Sequence, residues 1–211
     1  MTVVYLVRHG VTDWNIAHRT QGHSDIDLNE EGREQARSVA AELAPIPLHA
    51  VYSSDLSRAV NTAITISQGR EMEVVVDRRL REIDEGEWEG LTEDEIVKRW
   101  PDVWESRHWA QRPGGESPGE VRSRSLLAVR DMVSAHPDAS VAAVASQGNI
   151  RLIVAEALDY TNVKASALRG LRGGEGVRID AHLRDEQLVL GQVTMLDGSP
   201  ANLRNLAPGP Q

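Results

Sequence analysis

The sequence has no cysteine. That excludes a disulfide, a thiol nucleophile and a thiolate metal site. It has no phenylalanine, so its aromatic side chains come down to five tryptophans and three tyrosines. No apolar run approaches the length needed to span a membrane. The N-terminus lacks a basic segment followed by a long apolar stretch, so no secretory signal is expected and the expected location is cytoplasmic. Positive charge is short: 23 Lys and Arg face 32 Asp and Glu, a net charge of −9. Such a chain is a poor binder of nucleic acid or of anionic membranes, and neither partner is expected. If its ligand is anionic, a local cluster of arginine must override the global field. The 211 residues read as one domain over 1–205, with a loose tail "LAPGPQ" at 206–211.

What is there is an alternation of strand and helix. "TVVYLV" (2–7) reads as a buried strand. "NEEGREQARSVAAELAP" (29–45) reads as a helix, with Asn29 as N-cap and Glu30 and Glu31 at its positive end. Its core face is Ala36, Val39, Ala40 and Leu43. A strand "HAVYSS" (49–54), a helix "DLSRAVNTAITISQ" (55–68) and a strand "EMEVVVD" (71–77) follow. The second helix is expected to bury Leu56, Val60, Ala63, Ile64 and Ser67. The middle changes character. Thr92 and Glu95 form a capping box, Trp100, Trp104 and Trp109 crowd together, and Ser117, Pro118 and Glu120 open a helix that runs to about His136. Then come a strand "ASVAAVAS" (139–146), a helix "NIRLIVAEALD" (149–159) and a β-hairpin over 176–195. This order predicts an α/β fold with a right-handed parallel sheet.

In open α/β sheets, ligands bind beyond the carboxyl ends of the strands. The first strand delivers Arg8-His9-Gly10 there. The second delivers Ser53-Ser54-Asp55, with Arg58 one turn into the next helix, and the fourth delivers Ser146-Gln147-Gly148. Guanidinium groups hold phosphate oxygens through paired hydrogen bonds. An imidazole among them can act as a nucleophile toward phosphorus.

Five stretches arrive in a telling order: "LVRHGVTDWN", "RTQGHSDIDLNEEGREQA", "VYSSDLSRAVNTA", "LREIDEGEWEGLT" and "PGGES". Over roughly residues 3–158 the chain resembles the histidine phosphatase superfamily, the phosphoglycerate mutase-like proteins. It is most similar to the small broad-specificity phosphatase branch, because the Trp-rich middle is short. The resemblance implies a phosphoglycerate mutase-like α/β fold, a three-layer sandwich with a mostly parallel sheet and helices on both faces, and a phosphohistidine formed at His9. It implies that Arg8 and Arg58 hold the phosphoryl oxygens, that Asn15 adds a neutral donor, and that Glu82 protonates the leaving oxygen. Gln21, Gly22 and Gly148 are expected in the substrate site. The segment 92–118 would form a cap, with Glu116 and Ser117 at the rim. The implied ligand is a small phosphomonoester or inorganic phosphate. No cofactor and no metal is implied, and a homodimer stays open. The other histidines, His18, His23, His49, His108, His136 and His182, show no metal-ligand spacing and are expected at the surface.

One signature departs from the family. Where it carries Ser-His-Gly after the fourth strand, this chain has Ser146-Gln147-Gly148. Gln147 supplies a neutral amide donor and no charge. Losing one preorganised donor costs on the order of 10²–10³ in rate. Three readings stay open: a working phosphatase with Gln147 as an adequate donor, a pseudo-phosphatase that binds a phosphorylated ligand, and a residue introduced to trap a ligand. Retention of His9, Arg8, Arg58 and Glu82 favours an enzyme, slowed by Gln147. A phosphoglycerate mutase-type transferase is the further alternative, disfavoured because the insertions of true mutases are missing.

Overall fold

The apolar run that opens the chain forms β1 (Thr2–Arg8) in a computed structural model. The structure describes residues 1–162, 165, 168 and 170–199. The expected tail at 206–211 lies outside the described residues. β1 is apolar at successive positions because both of its faces are covered. Val4 and Leu6 pack in one core, while Tyr5 and Val7 pack in the other.

Five more strands complete the sheet: β2 (Leu48–Ser53), β3 (Val74–Val76), β4 (Ser140–Ala145), β5 (Gly176–Arg184) and β6 (Gln187–Met195). Their order is β3-β2-β4-β1-β5-β6. The first four named in that order run parallel, and the β5–β6 hairpin adds antiparallel strands beside β1. The sheet is therefore mixed but mostly parallel in its site-bearing half, as the alternation predicts.

Seven α-helices lie among the described residues: α1 (Asp13–Ile16), α2 (Glu30–Leu43), α3 (Ser57–Ser67), α4 (Glu93–Arg99), α5 (Pro101–Glu105), α6 (Pro118–Ala135) and α7 (Gln147–Ala157). α2 and α3 cover one face of the sheet through Val39, Leu43, Ala59, Ala63 and Ile66. α6 and α7 cover the other through Val121, Val129, Ile150 and Ile153. The capping boxes read from the sequence are present, Thr92 with Glu95 on α4 and Ser117 with Glu120 on α6. Each such cap contributes about 1 kcal/mol.

Three local expectations are corrected. α3 buries Arg58, Ala59, Thr62, Ala63 and Ile66, whereas Ile64 is largely exposed. The helix is rotated so that Arg58 and Thr62, polar but hydrogen-bonded, turn inward. β3 starts at Val74 because Gly69 and Glu71 adopt positive φ and hold the preceding residues in a turn. α7 begins at Gln147, with Ser146 as its N-cap residue, so Gln147 and Gly148 occupy a helix start and not a loop.

Candidate active site

The register of the sheet assembles the site. Arg8, the last residue of β1, pairs with Ala145, the last of β4, and Ser53 at the end of β2 pairs with Val144. The residues that follow these strands therefore emerge side by side. They border a cavity of about 350 Å³ lined by Arg8, His9, Arg58, Glu82, Gln147 and Arg151, among others.

His9 is 3% exposed. Its Nδ1 lies 2.7 Å from the Gly10 carbonyl oxygen. A carbonyl only accepts, so Nδ1 carries the proton and Nε2 keeps its lone pair. Burial, then the nearby Arg58 and Arg8 charges, push the His9 pKa down to about 3. The imidazole is neutral at physiological pH, with a free nitrogen for attack.

Arginine surrounds it. Arg58, 1% exposed, donates to the Ser24 and Gly22 carbonyls at 2.7 and 2.8 Å. Arg8 donates to the Leu171 carbonyl. Five arginines (8, 19, 58, 112 and 151) line the cavity against two glutamates, 82 and 85. This is the local cluster that a net charge of −9 requires of an anion site. The Nε atoms of Arg8, Arg58 and Arg151 are buried with no hydrogen-bond partner among the described residues. Unsatisfied buried donors are costly, about 1–3 kcal/mol each and more for charged groups. The same three side chains, with Arg19 and Arg112, gather positive charge around one cavity and suit it to an anion.

Glu82 sits on the helix start of α7. Its Oε2 accepts from Gly148 N at 3.1 Å, and its Oε1 from Ile83 N at 2.9 Å. A Cβ at 148 would lie 2.1 Å from Glu82 Oε1, so a larger residue there would displace the carboxylate from its seat. The loop bearing Glu82 is pinned by Arg124, which donates to the carbonyls of Arg79, Arg81 and Glu82 at 2.7 Å each.

Asn15 and Gln21 are oriented by Thr12, which is fully buried. Thr12 N donates to Asn15 Oδ1 at 3.0 Å, and Thr12 Oγ1 donates to Gln21 Oε1 at 2.9 Å. Both amide oxygens are thus occupied, which leaves both NH₂ groups as donors for a ligand. Gly22 has φ +50°, a backbone conformation that favours glycine, and it directs its carbonyl to Arg58. Gln147 reaches the cavity from the first residue of α7, with its amide against Gly170.

The structure brings Arg8, His9, Asn15, Gln21, Gly22, Arg58, Glu82, Gln147 and Gly148 to one cavity. It does not bring Glu116 and Ser117 there. Glu116 accepts from Asp84 N and from Arg124 at 2.8–2.9 Å, so it braces the Glu82 loop from behind. Ser117 spends its hydroxyl capping α6. His23 and His108, expected at the surface, are partly buried. His23 Nε2 lies 3.0 Å from the Glu82 carbonyl oxygen, and His108 faces a side cavity. Sequence reasoning missed Thr12, Glu85, Arg112, Arg124 and Arg151. Arg151 was detectable, since it stands four residues after Gln147 and so on the same helix face. Glu85 pairs with Arg112 at 2.8 Å, and burial raises its pKa to about 7 against the pull of that arginine. The tryptophans mostly pack the cap: Trp88 is buried against Trp104, while Trp109 is exposed. Among the described residues no cluster of His, Asp and Glu is suited to a metal, and no helix is long and apolar enough to cross a membrane.

Residues 4–177 match the family described as "Histidine phosphatase superfamily (branch 1)". The chain is 35% identical over 190 residues to the glucosyl-3-phosphoglycerate phosphatase of Mycolicibacterium vanbaalenii, covering 85% of this chain and 84% of that one. It is 38% identical over 130 residues to phosphoserine phosphatase 1 of Hydrogenobacter thermophilus, a match that spans 59% of this chain and 61% of that relative. A solved mycobacterial glucosyl-3-phosphoglycerate phosphatase in complex with VO3 superposes with a TM-score of 0.81 at 32% identity, over 92% of this chain and 96% of that one.

Proposed function

The chain belongs to the histidine phosphatase superfamily, branch 1, and from that premise we propose that it is a phosphomonoesterase acting on a small phosphorylated metabolite through a phosphohistidine at His9. One observation carries this reading. A buried, neutral His9 has Nδ1 committed to the Gly10 carbonyl and Nε2 free, beside a cavity that five arginines line.

Chemistry follows from the placement. Arg8 and Arg58, with the NH₂ groups of Asn15 and Gln21, hold the phosphoryl oxygens and stabilise charge that builds on them. His9 Nε2 attacks phosphorus, and the bond from phosphorus to the ester oxygen breaks. Glu82, in its acid form, gives that oxygen its proton, because an alkoxide leaves poorly. The alcohol departs. Glu82, now a carboxylate, takes a proton from water as the water oxygen attacks phosphohistidine. Inorganic phosphate leaves and His9 is restored, so atoms and protons balance over the cycle.

Gln147 stands where the resemblance places the family's second histidine, and it contributes a neutral donor there. Its lack of charge also favours a second reading, a protein that binds a phosphorylated ligand without turning it over. A panel of phosphomonoesters, run on the native protein and on Gln147→His, separates them. The phosphatase reading expects measurable hydrolysis, with kcat raised by about 10-fold or more in Gln147→His and KM moved less, since a preorganised cation acts mainly on the barrier. Absence of hydrolysis by both proteins, with inorganic phosphate still bound, would favour the binding reading instead.

A further inference from the structure

The hydrogen bond that fixes His9 does not end at Gly10. The Gly10 carbonyl that faces His9 Nδ1 belongs to the Gly10–Val11 peptide. The N–H of that same peptide, on Val11, donates to Gln35 Oε1 at 2.9 Å. Gln35 Nε2 in turn donates to Glu31 Oε1 at 3.1 Å, one turn back on α2, which holds the amide with its oxygen toward the loop. Imidazole, peptide, side-chain amide and carboxylate therefore stand in series.

The packing keeps this series together. A Cβ at 32 would lie 2.1 Å from the Val11 carbonyl oxygen, so glycine there lets α2 close on the loop after His9. A Cβ at 173 would lie 2.1 Å from Gln35 Oε1 and 2.9 Å from Val11 N, so the chain passes directly over the bond between them. Gln35 is half-buried, whereas Glu31 and Glu34 beside it on α2 are exposed. The preceding peptide is anchored separately, with Gly10 N donating to Thr62 Oγ1 at 3.2 Å. The link through Gln35 is the one whose carbonyl meets the ring.

Under the phosphatase reading above, on which this inference rests, the ring changes charge during the reaction. As Nε2 bonds to phosphorus and the bond from phosphorus to the ester oxygen breaks, the imidazole keeps its Nδ1 proton and becomes positive. Its N–H is then a stronger donor, so the Gly10 carbonyl stabilises the transition state more than the resting protein. A peptide whose N–H donates presents a more negative carbonyl oxygen, because hydrogen bonds in a chain polarise one another. We propose that Gln35 is a positioning residue for His9: acting through the Gly10–Val11 peptide, it strengthens the acceptor on Nδ1 and so favours phosphoryl transfer to Nε2. Gln35 itself lies outside the cavity lining. Glu31 is exposed, so its charge adds little, and its part is to orient the amide.

Two variants of the full chain test this. Gln35→Met keeps the side chain's length and removes the acceptor. Glu31→Gln combined with Gln35→Glu keeps the bond between the two side chains and brings the carboxylate onto Val11 N–H. The first readout is the His9 Nδ1 proton resonance of the resting protein, assigned by its absence from His9→Ala. The second is kcat/KM for nitrophenyl phosphate, whose leaving group departs without a proton from Glu82. Gln35→Met should move the resonance upfield and lower kcat/KM by about 3- to 10-fold, the worth of one neutral hydrogen bond. Its affinity for inorganic phosphate, read by calorimetry, should stay at the native value. The double variant should move the resonance downfield with kcat/KM at or above native, and it serves if thermal unfolding shows that Gln35→Met does not fold. A native ring protonated at Nε2, a resonance unmoved in both variants, or a moved resonance with unchanged kcat/KM would overturn the proposal. So would a loss confined to phosphate affinity, which would tie Gln35 to the neighbouring loop that holds Arg8 through the Leu171 carbonyl. The expected shifts in a chain whose native form hydrolyses no ester would sink the phosphatase reading and leave the link from Gln35 to His9 standing.

Discussion

The acid role proposed for Glu82 starts from a carboxylate seated on the first turn of a helix. Gly148 N fixes one of its oxygens and Ile83 N the other, so the group is aimed rather than mobile. Glu82→Gln keeps one of those two bonds, through its amide oxygen, and cannot deliver a proton. Alkyl phosphates should slow by on the order of 10²–10⁴, the usual contribution of a positioned acid. An aryl ester such as nitrophenyl phosphate should slow far less, because its leaving group departs without protonation. Equal losses on both would assign Glu82 a structural part. At this scale the sequence was legible where a residue follows directly from a strand end or a motif, as with Arg8, His9 and Arg58. It was silent where a residue acts through tertiary contacts alone. Arg124 binds three carbonyls of the acid loop from a different helix, and no local pattern announces that. Glu116 illustrates the converse error: its motif position suggested the rim, but an arginine eight residues on captures it.

Among the elements, the shortest has the largest consequence. α1 is one turn long, and its capping box is also the device that orients the site. Thr12 supplies the cap and occupies the carbonyl oxygens of Asn15 and Gln21. Thr12→Val keeps the shape and removes the hydroxyl, so Gln21 is free to turn its oxygen toward the anion. Affinity for inorganic phosphate should fall by about 3- to 10-fold, the worth of one neutral hydrogen bond, and Thr12→Ser should restore it. Unchanged binding in Thr12→Val would show that Gln21 does not contact the ligand. Element existence and type were readable from periodicity and caps, but faces and starts were less so. α3 was expected to bury its most apolar stripe. It buries Arg58 and Thr62 along with Ala59, Ala63 and Ile66, because both polar groups are satisfied inside: Arg58 donates to the Ser24 and Gly22 carbonyls, and Thr62 bonds back to the Arg58 carbonyl and to Gly10 N. α7 begins two residues early, since Ser146 can end the strand while Gln147 already takes helical backbone.

For the molecule as a whole, the order of strands was the part least visible beforehand. Alternating strands and helices imply a parallel sheet, but nothing local says that β4 inserts between β1 and β2. That insertion puts His9, Arg58 and Gln147 around one cavity and concentrates five arginines in a chain of net charge −9. Such concentration has a cost in stability that depends on pH. In the unfolded chain His9 takes up a proton near its ordinary value of 6.5, whereas folded it does so only near about 3. Between those values the unfolded state binds more protons, so stability falls as pH drops from about 6.5 toward 3, and above 6.5 the effect is absent. At about 1.4 kcal/mol per unit, the native protein should lose about 3 kcal/mol more than His9→Ala between pH 6.5 and 4. Denaturant titrations across that range check this, and parallel pH profiles for the two proteins would refute it. The proposed reaction turns on a covalent bond to one nitrogen. The direct measurement is acid-free quenching of the native protein during turnover of a phosphoryl-labelled ester, followed by peptide mapping. The label should sit on the peptide carrying His9, survive base, be released by acid, and be absent from a folded His9→Ala that no longer hydrolyses the ester. Steady turnover by His9→Ala, or label on any other residue, would contradict nucleophilic catalysis at His9.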